Sequence, residues 1–155
     1  MIVGMRLDLP TDPAMVPVVR RQVDALLRHM SVVDDDIYRA DVVVTEACSN
    51  AVRHAYCESG NRYWVEIEYH TDRLVLRVTD RGSGFDLFAV PKPEPGQIGG
   101  YGLYFIHESA DEVEVISHPQ KGTMVVAVIN VSYRDDRALS DAASLEHGAS
   151  PTPGP

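Results

Sequence analysis

The sequence has few cysteines, a shortage of basic residues and no long apolar run. Two cysteines in 155 residues are too few for a disulfide framework and lack the spacing of a metal-binding pair. The formal net charge of −9 argues against a nucleic-acid partner, because phosphate binding needs a basic surface. No apolar run approaches the roughly 18 residues of a membrane span, and the N-terminus does not resemble a signal peptide. We therefore expect a cytoplasmic protein without a membrane partner.

The spacing of apolar residues predicts a helix pair, a strand hairpin, a third helix and a second hairpin. A short strand is expected ahead of them, and a Ser-, Ala-, Asp- and Pro-rich tail after them. This order favours an α+β fold, a two-layer sandwich in which helices cover one face of a mostly antiparallel, mixed sheet. The domain is predicted to span 1–133 and the disordered tail 134–155. The expected helices are 13–30, 35–56 and 101–109, and the expected strands are 5–9, 63–69, 74–79, 113–117 and 123–131.

The second predicted helix carries an acid and an amide on one face. Glu46 and Asn50 are four residues apart and therefore project from the same side of the helix. Their oxygens suit Mg²⁺, and the carboxylate is equally suited to act as a general base. A solvated helix face explains this pair, taken alone, at least as well.

An aspartate followed by two glycines ends the third predicted strand. Asp80 can accept a hydrogen bond from an exocyclic amine such as that of adenine, and Gly82 and Gly84 leave room for a flat ring against the backbone. An ordinary hairpin turn uses the same residue types. A long loop, and not a matching strand, follows here, which favours a binding site. Its central part, 86–98, is predicted to be a lid stiffened by three prolines.

A second glycine cluster opens the third predicted helix. Gly100 and Gly102 lie just ahead of Leu103, where the N–H groups of a helix N-terminus can bind phosphate. The cluster is not a Walker A loop, because no Gly-Lys-Ser/Thr follows it. It is not the dinucleotide fingerprint either, which needs a preceding parallel strand.

Together the three segments resemble the GHKL ATPase superfamily. Residues 46–56, Glu-Ala-Cys-Ser-Asn-Ala-Val-Arg-His-Ala-Tyr, are similar to the N-box of its RsbW-like branch, the bacterial anti-sigma factor serine kinases. Residues 80–85 and 100–106 resemble the two glycine boxes of that branch, and 121–123 resemble its closing Gly-Thr. The resemblance spans roughly residues 5–131.

The resemblance implies a Bergerat-type site for ATP and Mg²⁺. In it Asn50 would hold the metal, and Glu46 would take the proton from an incoming serine hydroxyl. The remaining roles concern the nucleotide itself: Asp80 would bind adenine, Gly82 and Gly84 would line the base, Gly100, Gly102 and Leu103 would cover the phosphates, and Thr123 would support the adenine end. For His54 we expect only a helix-dipole role, and the role of Arg53 stays open.

The resemblance also implies protein partners. Kinases of this branch phosphorylate a serine on a STAS-type antagonist, sequester a sigma factor, and often form homodimers. The resemblance therefore implies a serine/threonine protein kinase and anti-sigma factor. The alternative is a nucleotide-gated binding switch of the same fold with little kinase activity. The presence of Glu46 favours the kinase, because a pure binder needs no base.

Overall fold

The computed structural model describes residues 3–54, 61–84 and 100–134, which form one sheet and three α-helices. The predicted lid at 86–98 and the predicted tail lie outside these ranges, apart from Arg134. The helices are α1 (Val16–His29), α2 (Asp34–His54) and α3 (Gly102–Ser109). The strands are β1 (Val3–Pro10), β2 (Arg62–Tyr69), β3 (Arg73–Asp80), β4 (Glu112–His118) and β5 (Gly122–Asn130).

The five described strands form a single sheet in the order β1-β2-β3-β5-β4. Every neighbouring pair in this sheet is antiparallel, so the expected mixed character is absent from the described strands. Strand β5 lies between β3 and β4, which places Thr123 directly opposite Asp80. The register therefore brings together the two residues, Asp80 and Thr123, that are predicted to bind and support adenine.

Strands β2 and β3 alternate strictly between buried and half-buried residues, with one exposed residue at the start of each. Their buried residues, including Val65, Leu76 and Val78, pack with α1 and α2 in one hydrophobic core. Each CH₂ removed from water contributes about 0.8 kcal/mol, so this shared core holds the helices on the sheet. The predicted α+β sandwich is confirmed.

Helix α1 begins one turn later than the sequence predicts. The Asp12 side chain accepts a hydrogen bond from the Ala14 N–H (2.9 Å), and Pro13–Met15 form a single 3₁₀ turn before α1 starts. A short side-chain acceptor ahead of a proline is a common helix start. The predicted helix start at residue 13 therefore agrees with the structure, although the first turn is 3₁₀. None of the described helices is long and apolar enough to cross a membrane.

Cys48 lies on the core-facing side of α2 and is fully buried. Burial raises the pKa of its thiol to about 12, because a thiolate is poorly solvated there.

We predict that Cys48 in a Cys57→Ser variant resists iodoacetamide at pH 8 until urea unfolds the chain. Mass spectrometry measures the labelling. Equal labelling rates in native and unfolded protein would contradict this.

Candidate functional site

A hollow of about 380 Å³ lies between α2, the carboxyl end of β3, the start of β5 and the N-terminus of α3. This volume is at the lower end of the range for small-molecule sites. Seven of the nine predicted site residues line it directly: Asn50, Asp80, Gly84, Gly100, Gly102, Leu103 and Thr123. Chain segments more than 70 residues apart therefore meet at one cavity.

Glu46 and Gly82 are absent from the wall of the hollow but contact residues that form it. A side chain at Gly102 would place its Cβ 3.0 Å from Glu46 Oε2 and 3.1 Å from both amide atoms of Asn50. The missing side chain at Gly102 thus lets the start of α3 approach the acid–amide pair closely. Gly82 is buried and donates its N–H to Asp80 Oδ1 (2.7 Å).

Asp80 is a buried carboxylate, only 6% exposed, at the sheet side of the hollow. Burial raises its pKa, while hydrogen bonds from the Gly82 and Thr123 backbone N–H groups and the nearby His54 imidazole act in the opposite direction. A charged group in a site of this kind prefers a ligand that donates a hydrogen bond to it. The carboxylate is therefore suited to bind an amine such as the exocyclic amine of adenine.

The β4–β5 turn supports the chain around Asp80. Thr123 and Ser117 share a hydroxyl–hydroxyl hydrogen bond (2.8 Å), and the Gln120 N–H donates to the Ser83 carbonyl (2.5 Å). Gly84 has a φ of +58°, and a Cβ there would collide with the backbone carbonyl of His118. Two strand ends and one turn thus hold residues 81–84 in place.

The start of α3 is suited to an anion. Gly100 has a φ of +84°, a conformation that favours glycine, and Tyr101 at the N-cap is not one of the usual capping residue types. N–H groups at such a terminus attract phosphate. Glu46 and Asn50 stand beside the same terminus, so oxygen donors for a cation adjoin an anion-binding segment.

The donor set near α3 fits Mg²⁺. No group of three or more His, Cys, Asp or Glu residues within 3–54, 61–84 and 100–134 is placed to hold a metal ion by itself. Mg²⁺ is commonly bound by one or two protein oxygens, with water and substrate phosphates completing its coordination. One amide and one carboxylate beside a phosphate-binding terminus match that pattern.

Several residues of the hollow have roles that the sequence analysis did not assign. Val78 and Val125 supply an apolar wall, and Ala47 and Ala51 keep α2 close to it. Arg53 and His54 also line the hollow, so the helix-dipole role expected for His54 does not describe its whole environment. The alternation of β3 and β5 identifies both valines as core residues, but only the packing shows that they border a cavity.

Comparison with known proteins assigns the chain to a class. Residues 9–129 match the family described as the histidine kinase-like ATPase domain. A serine-protein kinase RsbW from Halalkalibacterium halodurans is 30% identical over 142 residues, covering 85% of each chain. The RsbW of Bacillus licheniformis is 35% identical over 118 residues, covering 68% of this chain and 73% of that one.

A solved structure shows the same fold. The RsbU and RsbW domains of a Mycobacterium tuberculosis protein superpose with a TM-score of 0.63 at 18% identity, covering 85% of this chain and 33% of that longer chain. The chain belongs to the histidine kinase-like ATPase family, within its branch of RsbW serine-protein kinases. The family resemblance inferred from the sequence is confirmed.

We predict that Gly84→Ala destabilises the fold by about 1–3 kcal/mol, because it combines an unfavourable φ with a backbone collision. Gly4→Ala is the matched control, since a Cβ at Gly4 meets nothing within 4 Å. Urea denaturation of both variants measures the difference. If the two variants unfold at the same urea concentration, the conformation assigned to Gly84 is wrong.

Proposed function

We propose that the chain is an ATP- and Mg²⁺-dependent serine/threonine protein kinase and anti-sigma factor. It phosphorylates a serine of a STAS-type antagonist and sequesters a sigma factor. The observation that carries the proposal is the hollow between α2 and α3, in which the Asn50 amide and the Asp80 carboxylate line one cavity. Relatives that share most of the chain bear the name serine-protein kinase, which supports the reaction class.

At the sheet end, the Asp80 carboxylate accepts a hydrogen bond from the adenine amine, and Thr123 supports it. Gly82 donates its N–H to Asp80 Oδ1, and the Thr123 backbone N–H also donates to this carboxylate. A carboxylate has about four lone-pair sites, so it keeps capacity to accept from a ligand. The apolar wall of Val78 and Val125 faces the flat base. Gly84, whose conformation excludes a side chain, borders the same space.

At the helix end, Gly100, Gly102 and Leu103 cover the phosphates. N–H groups at the start of α3 compensate their negative charge. Asn50 and the phosphates would hold Mg²⁺, which neutralises charge that develops on the transferring group. Phosphoryl transfer depends mainly on positioning and charge compensation, so this set of groups is sufficient.

Glu46 is the general base in this proposal. Its carboxylate takes the proton from the serine hydroxyl of the antagonist as the serine oxygen forms a bond to the γ-phosphorus. The bond from that phosphorus to the β,γ-bridging oxygen breaks, and ADP leaves. The pair of Glu46 and Asn50 beside Gly102 places base and metal ligand one helical turn apart, which supports this division of roles.

The partners follow from the same family assignment. We propose a sigma factor, a STAS-domain antagonist and a second copy of this chain as the partners. The net charge of −9 suits a protein partner with a basic surface, although charge alone identifies none. A cytoplasmic location goes with these partners.

Incubation with γ-labelled ATP and a STAS-domain protein tests the proposal directly. We expect label on a serine of the STAS protein, and retention of a sigma factor in a pull-down that unphosphorylated STAS protein reverses. Nucleotide binding without label transfer would contradict the kinase proposal and favour the nucleotide-gated switch.

Asp80→Asn should weaken ATP binding roughly tenfold, because a charge-assisted hydrogen bond is replaced by a neutral one. Asp72→Asn is the matched control, since the Asp72 side chain is 69% exposed on the β2–β3 turn and lies away from the hollow. Isothermal titration calorimetry measures both affinities. An Asp80→Asn variant with wild-type affinity would remove Asp80 from the adenine site.

Glu46→Gln should leave ATP binding nearly intact and lower the phosphorylation rate on the order of 10²- to 10⁴-fold, the usual contribution of a general base. Glutamine keeps the volume beside Gly102 and removes only the proton acceptor. Glu114→Gln, at an exposed position on β4, is the control for loss of one negative charge. Single-turnover phosphorylation measures the effect, and an unchanged rate in Glu46→Gln would exclude the base role.

A further inference from the structure

Arg39 joins the end of α3 that lies farthest from the nucleotide hollow to the first turns of α2. Its Nε donates to the carbonyl of Ser109, the last residue of α3 (3.0 Å). Its two terminal nitrogens contact the carboxylates of Asp36 (3.0 Å) and Asp111 (2.7 Å). One guanidinium thus binds a helix C-terminus, where a cation is favourable, and two acids at once.

Both acidic partners of Arg39 are fixed by other parts of the chain. Asp111 also accepts the Asn130 N–H (2.7 Å), and Asp36 accepts the Ser132 N–H (2.8 Å). Burial acts to raise the pKa of Asp111, but the Asn130 N–H and Arg39 outweigh it, so its pKa lies below the ordinary value. Arg39 is therefore tied to the end of β5 and the segment that follows it.

Helix α3 lies antiparallel to α2 and contacts it at both ends. Its first residue, Gly102, adjoins Glu46 and Asn50, while its last residue accepts from Arg39. Arg39 and Asn50 are 11 positions apart on α2, about 16 Å. The eight residues of α3 span about 12 Å. A helix this short moves as one rigid unit, so a displacement of one end also displaces the other.

We propose that Arg39 is a positioning residue for the phosphates of the nucleotide, through its hold on the C-terminal end of α3. The inference rests on the proposed function, in which the start of α3 covers those phosphates. Ile106, midway along α3, is fully buried, so its side chain fixes the middle of the helix in the core while either end can move. Release of the Ser109 end therefore tilts the N–H groups at Gly102 away from the phosphates.

A comparison of two ligands tests the inference. ATP reaches both ends of the hollow, whereas adenosine occupies only the end at Asp80. Arg39→Met should weaken ATP binding on the order of tenfold, as phosphate contacts are lost, and leave adenosine binding unchanged. Arg39→Lys, which keeps the charge and loses the fork of donors, should give an intermediate loss. Displacement of a fluorescent ATP analogue measures both affinities.

Arg20→Met is the matched control. Arg20 forms a salt bridge with Asp41 (2.5 Å) that ties α1 to α2, and neither residue lines the nucleotide hollow. Its side chain is 43% exposed and that of Arg39 is 30% exposed. We expect the ratio of ATP to adenosine affinity in Arg20→Met to equal that of the wild type.

Four outcomes would overturn the inference. An equal loss of both affinities in Arg39→Met would reduce Arg39 to a general contributor to stability, and unchanged affinities would remove its role altogether. If Arg39→Met does not fold, Arg39→Lys decides, and an unchanged ratio of affinities in it overturns the inference. Failure of the wild-type chain to bind ATP would overturn the proposed function as well, which separates the two.

Discussion

The packing of α2 against the sheet is the contact on which the candidate site depends. Its core face carries small residues, among them Ala47 and Ala51, which are almost fully buried. Small side chains let the helix lie close to β3 and β5, so the polar residues at the edge of that face come within reach of the strand ends. Asn50 and Asp80 share a cavity because of this close approach.

The residues around Asp80 show how a fold accommodates a buried acid. Burial of an acid costs free energy, which the raised pKa of Asp80 reflects. Backbone N–H groups, the shared register with Thr123 and the close approach of Gly84 to the β4–β5 turn hold the carboxylate in place. Strain and burial of this kind concentrate at functional sites, where other contacts in the fold compensate for them.

Much of the fold could be predicted from local patterns. Alternation placed β2 and β3 within a residue of their observed bounds, and the apolar stripe placed α2 at 35–56 where the structure describes Asp34–His54. The nine candidate site residues came from motifs and from a family resemblance, and their roles stay predictions. The position of β5 between β3 and β4 was not predicted, because strand order depends on contacts distant in sequence.

The features that sequence reasoning missed share a physical cause. Arg39 bonds to Ser109, 70 residues further along the chain, and an isolated arginine near a helix start gives no sign of such a partner. Val78 and Val125 have the pattern of ordinary core residues until a cavity is found beside them. His54 lies one turn beyond Asn50 on the same face of α2, but only the packing shows that this part of the face borders the cavity.

Nucleotide binding in the hollow can be tested by amide NMR spectra recorded during titration with Mg·ADP, because they observe every part of the hollow at once. We expect shifts for Asn50, Gly82, Gly102 and Thr123 that saturate together, while Arg20 and Asp41 between α1 and α2 stay unmoved. Shifts confined to the α1–α2 surface, or none at saturating nucleotide, would contradict a purine nucleotide bound between α2 and the sheet.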